Sequence, residues 1–224
     1  MRAVLAMLRK EWRTEIRAAA GLFTAAVFAA TCVMAIAAAT FTTDLRGDTA
    51  AGLLWVCLLF SAAVGIPRRF LGEEESGTAL LLRLMVPEEA VYWGKWLFSF
   101  AETVAFSAIV STLFLLLTSM SVPNPGLFGV GMLGSALSLS GTTTLCSAIA
   151  AESKNRSGLA ATLALPLLVP VIFFGIAALR VALGAEVLGP RTLDEAWRAG
   201  WGLVGYGIAS VAIGPTFFAI VWKR

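Results

Sequence analysis

Histidine is missing from all 224 residues. Its absence removes at once the commonest general base, metal ligand and haem ligand. Charge is scarce as well: 14% of the residues are Asp, Glu, Lys or Arg, against 58% hydrophobic, which lies well outside ordinary globular composition. Cysteine occurs three times, at Cys32, Cys57 and Cys146, singly within apolar stretches and without CxxC spacing. These read as small buried hydrophobes, not as a disulfide framework or a metal site. The phosphate-binding pattern GxxxxGK followed by Ser or Thr is absent too: Gly94 and Lys95 precede Trp96 and follow no glycine-rich loop, so the chain cannot bind ATP by that route. LeuSerGly at 139–141 continues as three threonines inside an apolar run and is helix-packing sequence. There is no repeat between the halves.

What is abundant is apolar sequence, with a mean hydropathy of +0.84. Runs near the length that crosses a bilayer, about 20 residues, cover 19–43, 51–67, 93–120, 126–151, 158–183 and 201–222. The expectation is an all-α integral membrane protein, a single transmembrane domain over 1–224 with six transmembrane helices: spans 1–2 within 19–67, a charged loop at 68–92, and spans 3–6 within 93–222. Basic residues collect in cytoplasmic segments. All of the Lys and Arg except Arg46, Arg180, Arg191 and Arg198 fall before the first span, in or at the edge of the second or fourth loop (Lys95 at the start of the third run), or at the end of the chain. Both termini should therefore be cytoplasmic, and the net charge of +3 is a topology signal with no bearing on nucleic acid.

Residues 1–18 resemble a secretory signal in being basic before an apolar run, but the run is longer than a typical signal core. Leu5, Leu8, Trp12 and Ile16 cluster on one helical face beside Arg9, Lys10, Arg13 and Arg17, the pattern of a helix lying in the headgroup plane; a solvated basic tail is the alternative. The loop at 68–92 is the one long charged interruption. It holds Arg68, Arg69, Glu73, Glu74, Glu75, Arg83, Glu88 and Glu89, yet Leu80, Leu81, Leu84 and Met85 give its middle an amphipathic surface. Ser76 and Thr78 can cap a short helix that Pro87 stops. Such a helix fits a groove on a cytoplasmic partner; lying flat on lipid is the alternative, against which the three consecutive glutamates argue.

Within the spans, Pro166 and Pro170 remove two backbone donors one turn apart and should bend or break the fifth helix, as a hinge or as a packed static kink. Glu102 is the one acidic residue inside an expected span, about 9 Å beyond Trp93 and Trp96 at 1.5 Å per residue; it should face protein or water, in an interfacial or a transport role. Gly131, Gly134, Ser135, Ser138 and Gly141, and in the last span Gly202, Gly205 and Ala209, are candidates for close helix approach. Pro215 is a weaker helix-bending candidate. Thr192 to Glu195 forms a capping box that predicts a separate short helix on the outer surface, anchored by Trp197 and Trp201. Residues 122–126, ValProAsnProGly, predict a tight turn.

Several stretches together resemble the CcmB family, the membrane subunit of the ABC transporter of bacterial cytochrome c maturation. They are LeuArgLysGluTrpArg at 8–13, GlyLeuLeuTrpValCysLeuLeuPheSer at 52–61, the loop with Phe70, Glu73 to Glu75, Gly77, Leu81, Leu84 and Pro87 leading to Lys95, and LeuProLeuLeuValProValIlePhePheGlyIleAla at 165–177. The resemblance implies an ABC-2-like permease of the bacterial inner membrane, with an N-terminal interfacial helix and a cytoplasmic coupling helix. It implies no catalysis in this chain and no directly bound cofactor: ATP is used by a separate CcmA-like ATPase, and haem is a transported or handled ligand. CcmC-like and CcmD-like membrane proteins and the haem chaperone CcmE are the implied partners, with more than one permease copy per complex. Glu73, Glu74, Glu75, Gly77, Thr78, Leu81, Leu84 and Pro87 are the expected ATPase-coupling residues. An ABC exporter of a lipid or drug, and a membrane assembly scaffold, are the alternatives.

Overall fold

The computed structural model describes residues 2–17, 20–65, 85–151, 156–185 and 190–222. Among these residues all regular structure is helical: α1 (Arg2–Arg17), α2 (Ala20–Ala39), α3 (Gly47–Gly65), α4 (Glu88–Thr118), α5 (Pro125–Ala151), α6 (Arg156–Ala182) and α7 (Pro190–Trp222). Helices α4 to α7 are long and apolar enough to cross a membrane, whereas α2 and α3 contain shorter apolar stretches, Phe23–Ala39 and Gly47–Phe60. Four of the six expected crossings thus have the requisite length. The helix expected within residues 76–85 lies almost wholly outside the described residues, as do Glu73, Glu74, Glu75, Gly77, Thr78, Leu81 and Leu84.

Local chemistry fixes the helix ends. Pro87, extended at φ −57 and ψ 138, precedes α4, and Glu88 and Glu89 occupy the first turn, where the helix dipole favours negative charge. At the other end Ser119 turns left-handed at φ 52, and the Met120 N–H reaches back to the Leu115 carbonyl at 3.2 Å. Pro125 opens α5, where its missing N–H costs nothing. Gly184, at φ +84, ends α6, with the Ala185 N–H donating to the Arg180 carbonyl at 2.9 Å; only glycine takes that conformation freely.

The bundle is built around α5. Its hydroxyl-bearing face, Ser135 to Ser147, is buried along with Leu139 and Cys146. Most of these hydroxyls are absorbed by backbone carbonyls: Ser135 donates to Gly131 at 2.6 Å and Ser147 to Thr144 at 2.9 Å. Ser138 instead crosses to the Leu203 carbonyl of α7 at 2.7 Å. That bond requires close approach, and glycine permits it: a Cβ at Gly134 would stand 3.2 Å from Leu203, and one at Gly207 would meet Leu137 at 2.7 Å and the Ser138 nitrogen at 3.0 Å. The expectation for α5 is met. On α7, however, Gly205 faces open space and Ala209 is exposed. The packed glycines are Gly200, Gly207 and Gly214, spaced by seven, and with Ala196, Leu203, Val211 and Phe218 they form the buried seam, a heptad-like repeat.

A second difference concerns residues 192–195. No separate outer helix forms; α7 runs unbroken from Pro190 to Trp222, about 50 Å at 1.5 Å per residue. Packing overrides the capping signal: Ala196 is buried with Leu127, Ala178, Val181 and Ala182, with Leu193 and Trp197 against them, and Gly200 lies against Val130. With its apolar face already covered, the chain has no reason to break between Trp197 and Trp201.

Candidate functional site

The densest meeting of charge and packing lies where α1 crosses the first turns of α4. An added Cβ on Gly94 would come within 2.6 Å of the Met7 Cβ and Cγ, so α1 sits nearly on the α4 backbone, and Met7 is buried. One turn along each helix, Trp12 meets Phe98 edge-on with ring centroids 5.9 Å apart. Between these apolar contacts the Lys95 ammonium donates to Glu11 Oε1 at 3.2 Å, and Lys10 donates to the same oxygen at 3.2 Å. The Lys95 side chain is 1% exposed and that of Glu11 14%. Burial pushes the Glu11 carboxyl upward, but Lys95 and Lys10 more than offset this and hold it below its ordinary value. Glu11 is therefore a carboxylate, and its charge compensates the buried Lys95.

The same end of the bundle gathers two further elements. Val91 and Tyr92 of α4 pack with Met7, Ala148 of α5 and Phe218 of α7, and Val86 and Trp96 border the cluster. The Tyr92 ring lies directly over Gly214 and 5.8 Å from the Phe218 ring. Four helices are thus tied together beside the start of α4 at Glu88, to which residues 66–87 lead from α3. The arrangement combines apolar seams with the two ion pairs of Glu11, and among the described residues no group of three or more Cys, Asp or Glu is placed to hold a metal.

Of the expected site residues, Pro87 stands exposed at the head of α4, about 12 Å along the helix from Lys95. Glu102, half-buried, lies two turns further along α4. Pro166 and Pro170 are in α6, away from this junction, and α6 continues through both without a break in its helical run. The structure does not bring these three together. N-terminal reading singled out the basic residues of α1 and missed Glu11. The available signal was an acidic residue in an otherwise basic helical face, together with a lysine, Lys95, at the start of a long apolar segment.

Comparison with known proteins adds a sequence-wide match. Residues 2–215 match the CcmB protein family. The chain is 26% identical over 221 residues to heme exporter protein B of Bradyrhizobium diazoefficiens, covering 96% of this chain and 95% of that relative. This chain belongs to the CcmB family.

Proposed function

We propose that this protein is the non-catalytic permease subunit of an ABC-type complex in cytochrome c biogenesis, which uses ATP hydrolysis in a separate CcmA-like ATPase to drive haem export or release of a haem-loaded chaperone. Haem enters this reading through the family and through the printed name of the Bradyrhizobium relative. In it, α2 and α3, 20 and 19 residues long and so about 30 Å each, join α4 to α7 to make six crossings. The complex sits in the bacterial inner membrane with both termini cytoplasmic, contains more than one permease copy, and includes CcmC-like, CcmD-like and CcmE partners.

The observation that supports the mechanism best is the α1–α4 joint. A push on residues 68–87 acts on the head of α4 through Pro87. Because Met7, Gly94, Glu11 and Lys95 lock α1 to that head, α4 and α1 respond as one body, and Tyr92 passes the displacement to α7 at Gly214. Glu73, Glu74, Glu75, Gly77, Thr78, Leu81 and Leu84 form the surface that receives the push, with Thr78 to Met85 as the docking helix. No reacting group is required of this chain; its task is to convert closure of the motor into helix movement.

The test is to purify the chain from membranes with whatever ATPase accompanies it, and then to reverse Glu73, Glu74 and Glu75 to Lys. The expected result is a complex that still assembles and hydrolyses ATP but no longer matures c-type cytochromes. Normal maturation by the triple variant removes those residues from the coupling surface. Failure of any ATPase to co-purify favours a scaffold.

A further inference from the structure

Helix α1 carries three kinds of residue in three sectors. Its docking face holds Met7 and Glu11, turned to α4. At about 100° per residue, Arg2, Arg9 and Arg13 share an arc of about 40° on nearly the opposite side, and Leu5 and Trp12 lie about 70° round from them. Leu5 is 62% exposed and Trp12 53%, so neither is used up in seating the helix on the bundle. All three arginines are exposed, and among the described residues no ion pair holds any of their side chains. Glu11, which could have neutralised them, is turned away and committed to Lys95 and Lys10 at 3.2 Å each. The arginine strip is therefore left with its full positive charge along about 16 Å of helix.

The depth of α1 is set by what it packs on. Gly94 and Lys95, which receive Met7 and Glu11, stand between Trp93 and Trp96, whose indoles meet edge-on with centroids 5.5 Å apart. Tryptophans at the end of a membrane helix mark the headgroup level, and α4 is long and apolar enough to cross. At that level a strip of guanidinium groups beside an apolar strip fits a ligand that carries an anion and hydrocarbon side by side. A phosphodiester accepts paired hydrogen bonds from arginine, and acyl chains cover Leu5 and Trp12. An acidic protein segment would answer the arginines alone and leave those two side chains in water.

We infer that the exposed side of α1 is a binding surface for anionic phospholipid, with Arg2, Arg9 and Arg13 on the phosphate groups and Leu5 and Trp12 among the acyl chains. Bound lipid then holds α1 from outside as the Glu11–Lys95 pair holds it from inside, so negative charge in the leaflet tightens the α1–α4 joint. Neither the cargo nor the ATPase enters into it.

Native mass spectrometry of the full chain in detergent, titrated with phosphatidylglycerol or with phosphatidylcholine of the same acyl chains, measures the preference for an anionic headgroup. Phosphatidylglycerol is expected to bind more tightly, by about fivefold for each arginine engaged. Arg2→Gln, Arg9→Gln and Arg13→Gln together should bring the two lipids level. The same three positions changed to Lys should keep most of the preference, because the charge remains, and this variant also checks that the fold tolerates replacement there. Arg46, Arg180 and Arg198, exposed residues outside α1, provide the control: changing all three to Gln removes the same charge and should leave the preference as it was. Glycerol phosphate, an anion without chains, should not displace the lipid. The assignment is overturned if the unaltered chain does not distinguish the two lipids, or if the Gln triple in α1 keeps the preference. It is overturned equally if the Lys triple loses the preference as fully as the Gln triple, if the control triple lowers it as much, or if glycerol phosphate competes at the lipid's own concentration.

Discussion

The energetics of the α1–α4 joint are set by Lys95. An ammonium buried to 1% exposure is costly to desolvate, and removing the Glu11 carboxylate beside it costs far more than a surface ion pair is worth. Glu11→Gln is therefore expected to destabilise the docking of α1 by about 2–3 kcal/mol, toward the low end for a buried pair because Glu11 keeps some contact with solvent. The exchange Glu11→Lys with Lys95→Glu should recover part of the loss, read as thermal stability in detergent and as hydrogen exchange across residues 4–13. The pH dependence has a definite sign. The Glu11 carboxyl titrates below its ordinary value of 4.5, so its contribution is fully present above that value and is lost as the pH falls through the lowered one. Hydrogen exchange in α1 should accelerate only under acid conditions and be flat through the neutral range.

At the scale of the element, the glycines of α7 divide by helical phase. Gly207 faces the α5 backbone, whose Ser138 nitrogen cannot yield, so Gly207→Ala is expected to cost about 1–3 kcal/mol through overpacking. Gly205, two residues away, faces open space, and Gly205→Ala should be neutral or stabilise by up to about 1 kcal/mol through helix propensity; chemical denaturation of the two variants in one detergent makes the comparison. That division marks how far the sequence could be read. The position of the apolar runs was plain, since a segment with no charge for twenty residues has few structures open to it, and the small residues of α5 were recognisable as packing residues. The phase of α7 was less plain, because two glycine series, one through Gly202 and Gly205 and one through Gly200, Gly207 and Gly214, run along the same helix, and only the position of α5 selects between them. The capping box at Thr192 misled for the same reason: a local hydrogen-bonding preference lost to the burial of Ala196 against α5 and α6. The Glu11–Lys95 contact joins residues 84 apart, and no local pattern reveals such a pairing.

For the whole molecule, everything proposed about force depends on which side of the membrane the charged loop occupies. Residues 66–87 connect the end of α3 to the head of α4, and the α1–α4 joint lies at that same end of the bundle, with the N-terminal basic residues of α1. Basic residues within short loops are retained on the cytoplasmic side, and Arg2, Arg9, Lys10 and Arg13 all belong to α1 at this end of the fold. The opposite end has the short α2–α3 connection, where Thr43 is exposed, and the tight turn before α5. A membrane-impermeant maleimide should therefore label Ser76→Cys in inverted vesicles and not in spheroplasts, and Thr43→Cys in spheroplasts and not in inverted vesicles, with Cys57 and Cys146 silent because they are buried and Cys32 replaced. Labelling of Ser76→Cys from outside the cell would place the coupling loop beyond the reach of any cytoplasmic ATPase. The α1–α4 joint would then be a structural brace, because no motor could load it.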